Sequence, residues 1–80
     1  MTKLEEKLIE LGYDGVYVSL NKVIWYKYPT KFTIIQLTVE GGKIIEVEYG
    51  ERFRKIPKYQ TMMEITINQL QKDLEVLKNV

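Results

Sequence analysis

Between Val16 and Tyr49 the chain is dominated by alternating β-branched and aromatic residues, interrupted only at Asn21, Pro29-Thr30 and Gly41-Gly42. This spacing constrains the fold more than any other feature, because parallel neighbours need a crossover of roughly a dozen residues or more. The interruptions are far shorter. Consecutive strands must turn straight back, which predicts an antiparallel meander of four strands: Val16–Ser19, Lys22–Tyr28, Lys31–Val39 and Lys43–Tyr49. A total of 80 residues leaves room for one core, hence a single α+β domain over residues 1–80.

Loop length fixes which side chains share a face. Glu40-Gly41-Gly42-Lys43 suits a three-residue loop with Gly42 left-handed, which pairs Val39 with Lys43, Leu37 with Ile45 and Ile35 with Val47. A two-residue Gly-Gly loop would set Leu37 against Glu46. Ser19-Leu20-Asn21-Lys22 suits the same turn with Asn21 left-handed, pairing Val18 with Lys22 and Val16 with Ile24. An even loop around Pro29-Thr30 pairs Tyr26 with Thr33 and Ile24 with Ile35. The expected core face is then Val16, Val18, Ile24, Tyr26, Ile35, Leu37, Val39, Ile45, Val47 and Tyr49.

Helices are expected at both ends. Thr2 to Leu11 carries Leu4, Leu8 and Leu11 on one stripe, with Thr2 and Glu5 spaced as a capping box and Gly12 placed for a left-handed end. After a connection over Glu51–Gln60 broken by Pro57, the alternation of Met63, Ile65 and Ile67 predicts a brief fifth strand through Met62–Ile65. Thr66-Ile67-Asn68-Gln69 repeats the capping-box spacing and opens a helix to Asn79. Its seam is Ile67, Leu70, Leu74 and Leu77, destined either for the sheet or for a second copy of the chain.

Composition removes most catalytic chemistry. The chain has no Cys and no His, which excludes disulfides, thiolate metal sites and imidazole bases. Ser19 and the threonines have only Lys or carboxylates to activate them. Glu46 and Glu48 share a strand face, yet two carboxylates alone hold a divalent ion poorly. The glycines are scattered at turns and form no phosphate loop. No enzyme, metal or cofactor is expected. A net charge of +1 supplies no field toward nucleic acid or membrane. The opening lacks an apolar signal region, so the expected location is the cytoplasm.

Two surfaces carry the functional expectation. The first is an apolar patch on the face opposite the expected core: Tyr17, Val23, Trp25 and Ile34, rimmed by Gln36, Thr38, Glu46 and Glu48. Adjoining aromatic and β-branched residues there suit a protein partner. The second is the connection Arg52, Phe53, Arg54, Lys55, Lys58 and Tyr59, where cations interleave with aromatics as phosphate contact and base stacking require. Lys27 and Lys31 would extend it if the Pro29 hairpin folds that way.

The opening Thr2-Lys3-Leu4-Glu5-Glu6-Lys7-Leu8-Ile9-Glu10-Leu11-Gly12-Tyr13 and the ending Leu70-Gln71-Lys72-Asp73-Leu74-Glu75-Val76-Leu77-Lys78 resemble small phage or prophage proteins of Gram-positive bacteria. The resemblance covers about a third of the chain and carries no catalytic motif. It implies an accessory protein, of the class that includes host-defence inhibitors such as anti-CRISPR proteins. Many of those inhibitors are acidic DNA mimics, and the near-neutral charge here departs from that pattern. Two functions stay open: a non-catalytic module that binds and blocks a host protein, with a homodimer as one form, or a small nucleic-acid or nucleotide binder.

Overall fold

Three tight turns set the architecture. The computed structural model describes residues 1–53 and 59–80, with elements α1 (Lys3–Glu10), β1 (Asp14–Tyr17), β2 (Lys22–Thr30), β3 (Thr33–Glu40), β4 (Lys43–Glu51) and α2 (Tyr59–Leu77). The strands form one antiparallel sheet in the order β1-β2-β3-β4, the expected meander between two helices. Both helices contribute to one apolar cluster on a single side of the sheet. Among the described residues, no helix is long and apolar enough to cross a membrane.

α1 begins and ends as its sequence dictates. The Thr2 hydroxyl accepts from the Glu5 amide (3.1 Å), and the Glu5 carboxylate accepts from the Thr2 amide (3.3 Å). At the other end Gly12 has φ 92°, while the Gly12 and Tyr13 amides donate to the carbonyls of Ile9 and Leu8. This left-handed cap turns the chain inward and delivers Tyr13 to the core.

The first hairpin keeps the expected register, with Val16 opposite Ile24 and Tyr17 opposite Val23, although β1 starts two residues earlier than expected. The second does not. Its turn is Lys31-Phe32 rather than Pro29-Thr30, and a bulge between Lys27 and Thr30 puts one extra residue into β2. Pro29, which has no N–H to donate, lies where the ladder is broken. The bulge reverses the expected sides of β1 and β2: Trp25 stands opposite Leu37 on the core face, and Val16, Ile24 and Tyr26 face away.

The third hairpin corrects the loop but keeps the sides. Gly41 and Gly42 have φ 59° and 80° and form a two-residue turn joining Glu40 to Lys43, because paired positive φ values match the twist of the flanking strands. A second bulge at Ile45 restores the alternation, so Leu37 faces Val47 and Ile35 faces Tyr49. Ile45, expected in the core, is exposed, and Ile44 packs against the core instead.

The core is Leu8, Tyr13, Trp25, Ile35, Leu37, Val39, Leu70 and Leu77. The Trp25 ring lies against Gly15, where an added Cβ would sit 3.1 Å from ring carbons. The expected fifth strand is absent: Met62–Ile65 belongs to α2, since a short apolar run fits either period. Thr66 is therefore a mid-helix residue rather than a cap. The buried stripe of α2 is Thr66, Leu70, Asp73 and Leu77; Leu74 is partly buried and Ile67 half-buried, so the expected seam is rotated toward two polar residues.

Both polar residues are fully bonded. Thr66 Oγ1 donates to the Met62 carbonyl (2.8 Å) and lies 2.6 Å from Thr33 Oγ1, itself 2.6 Å from Thr30 Oγ1. The Thr66 hydroxyl donates its one hydrogen between Thr33 Oγ1 and the carbonyl, and the Thr30 and Thr33 hydroxyls continue the chain. One Asp73 oxygen accepts from the Tyr13 hydroxyl (2.7 Å) and pairs with the Lys27 ammonium, and the other accepts from Gln69 Nε2 (2.9 Å).

Candidate functional site

With both helices on one side, the other side of the sheet stands open. It carries Val16 from β1, Ile24, Tyr26 and Tyr28 from β2, and Ile34 and Gln36 from β3, which line a shallow groove of about 370 Å³. The β2 bulge puts these side chains there: residues read as core by simple alternation become the outward surface. Val16 and Tyr28 are exposed, and Ile24, Tyr26 and Ile34 are half-buried by one another. The Tyr26 and Tyr28 rings meet at 5.7 Å in a tilted pair.

The groove is bordered by opposite charges. At the turn end, the Arg52 guanidinium lies 3.7 Å from the centre of the Tyr28 ring and donates from Nη1 to the Lys31 carbonyl (3.1 Å). Phe53 meets Phe32 edge-on at 5.9 Å. On the β4 side, register places Glu46 beside Thr38 and Glu48 beside Gln36. The Glu48 carboxyl is pushed above its usual range by its hydrogen bond to Glu46 and by that neighbour's charge.

The residues expected from sequence to form one patch are divided between faces. Trp25 is 7% exposed in the core, and Val23 packs on the same cluster, so these two and Ile34 do not form a common surface. The reason is the β2 bulge, which turns Trp25 inward and leaves Ile34 outside. Tyr17, 75% exposed, joins Val23, Trp25, Leu4 and Leu20 in a separate groove of about 300 Å³ between the start of α1 and the hairpin tips.

Of the basic connection, Arg52 and Phe53 are exposed, while Arg54, Lys55, Lys58 and the side chain of Tyr59 lie outside the described residues. Lys31 adjoins Arg52 as expected. Lys27 does not join them: it points into the core, donates to the Leu11 carbonyl (2.9 Å), sits 4.7 Å from the centre of the Tyr13 ring and pairs with Asp73. Sequence reasoning missed this buried cluster, although Asp73 stands between Leu70 and Leu77 in an apolar stripe. A carboxylate there needs a cation. Tyr13 is held neutral to well above its usual range, by burial first and by Asp73 second. With Asp73 only 1% exposed and bonded at both oxygens, the cluster joins α2 to β2 and the end of α1 as a structural fastening. Among the described residues, no group of three or more His, Cys, Asp or Glu side chains is placed to hold a metal.

In comparisons with known proteins, no family model matches the chain, and neither a curated protein nor a solved structure matches it.

Proposed function

We propose that the chain is a non-catalytic protein-binding module whose partner covers the outer sheet face at Val16, Ile24, Tyr26, Tyr28 and Ile34. The observation that carries this reading is the contiguity of these five apolar side chains on a face that neither helix covers. Its two tyrosines, Tyr26 and Tyr28, offer large contact area with few rotamers to freeze. The resemblance to phage accessory proteins makes a host protein, met in the cytoplasm of a Gram-positive cell, the partner class to test first. Binding that blocks a host surface is the mode of action.

A photo-crosslinker placed at Gln36, on the groove's edge, should trap this partner in host lysate. Tyr28→Ser should abolish the crosslink while circular dichroism shows the fold intact, and Leu20→Ser, on the other groove, should leave it unchanged. Loss with Leu20→Ser alone would move the site to the helix side.

A second reading is favoured by one cluster. Arg52, stacked on Tyr28 beside Lys31, Phe32 and Phe53, joins the same face and has the makings of a nucleic-acid contact. Glu46 and Glu48 across the groove repel phosphate, which favours protein. Salt separates the two, since phosphate contacts weaken steeply with ionic strength and apolar contacts barely respond.

A further inference from the structure

The outer edge of β4 is a second surface with its own chemistry. β4 is a terminal strand of nine residues, against four in β1, and seven of its nine residues are exposed. Among the described residues, no other element pairs its backbone with that edge. Open backbone donors and acceptors over such a length form a template for another strand. α2 is held over β2 and β3 by the Lys27–Asp73 and Thr33–Thr66 contacts, which leaves Val47 and Tyr49 exposed on the helix side of β4. Glu46 and Glu48 alternate with them and point to the other side.

We propose that the β4 edge pairs with an extended basic segment of a partner protein, its cations set over Glu46 and Glu48 and its intervening apolar residues against Val47 and Tyr49. Charge selects this occupant over a second copy of the chain. An antiparallel self-pairing that uses the whole of β4 is centred on Val47 and sets Glu46 opposite the other copy's Glu48 twice. Four carboxylates then meet at the centre of one face, and like charges directly opposite are destabilising, while the Lys43–Glu51 pairs of the same register lie at the two ends, where the bulge at Ile45 separates Lys43 from the central ladder. Within one chain Glu46 already raises the Glu48 carboxyl's affinity for a proton, by a hydrogen bond first and by its charge second, and a cation placed across the strand competes with that proton. This inference goes beyond the outer-face reading and stands without it, because it uses main-chain groups at the sheet's edge.

The test uses synthetic peptides of about nine residues, the length of β4. One alternates Lys with Val, a second alternates Glu with Val, and a third is the Lys-Val peptide with alternate amides N-methylated on its pairing side. Titration of the isotope-labelled protein at low ionic strength should show the first peptide shifting and protecting β4 amides. The other two should leave them unchanged. Glu46→Gln with Glu48→Gln should weaken the first peptide about fivefold to tenfold, the effect of two cross-strand ion pairs. Equal binding of the Glu-Val peptide, unweakened binding of the methylated one, or shifts confined to Val16, Ile24 and Tyr28 would each overturn the proposal. So would a wild-type chain that already dimerises through β4 at neutral pH.

Discussion

Tyr13 shows how one side chain can be set by the cap of α1 although its partner stands in α2, 60 residues along the chain. The left-handed Gly12 turns the chain inward, and the tyrosine hydroxyl arrives at Asp73 across the whole core. Its neutral form is the one the fold holds, so ionisation is disfavoured in the native state relative to an unfolded tyrosine, which ionises near about pH 10. The sign follows directly. The stability that this shift contributes is complete below about pH 10 and declines as pH rises past that value toward the raised native one. Tyr13→Phe should therefore lower stability by about 1–3 kcal/mol at pH 7, through the acceptor left short at Asp73. Urea unfolding at rising pH should show that deficit shrinking above about pH 10, because the variant lacks the group that titrates there.

At the scale of elements, the β3–β4 turn gives the sharpest expectation. Both glycines occupy the left-handed region, so Gly42→Val should cost about 1–2 kcal/mol in thermal or urea unfolding. Gly41→Asn should be tolerated, since Asn-Gly suits this turn type and no atom lies near a Cβ built at Gly41. Strand number, antiparallel order and the α1 caps were legible in the sequence because turn residues and capping spacings are local signals. The sides of β2 were not. Val23 and Trp25 form one apolar alternation, Ile24, Tyr26 and Tyr28 form another, and only a bulge decides between them. α2 hid its phase in a similar way: Thr66 and Asp73 are polar by type and buried by partnership, and their partners lie 33 and 46 or more positions away, at Thr33 and Lys27. The apolar excess of the candidate site was readable from composition, while its membership needed the bulge.

For the whole molecule, the β2 bulge means that this sequence has an inside-out rival. Without the extra residue, Ile24 and Tyr26 would pack under the helices and Trp25 would face water, with a core of comparable apolar content. Such near-equal alternatives are what an energy gap must separate. We expect the buried ion pair to separate them. In the rival sheet Lys27 points to solvent and leaves Asp73 in the core without its cation, a loss of about 3–5 kcal/mol by analogy with broken buried pairs. Replacing both partners, Lys27→Met with Asp73→Leu, should leave overall stability near or above that of the parent chain. Its amide spectrum should nevertheless gain a second set of peaks for β2, from molecules that have chosen the other side. A single sharp set would assign the choice to the bulge alone. On this account Lys27 and Asp73 proofread the sheet, and the outward face of β2 is the correct one because a charge hidden on its other side made it so.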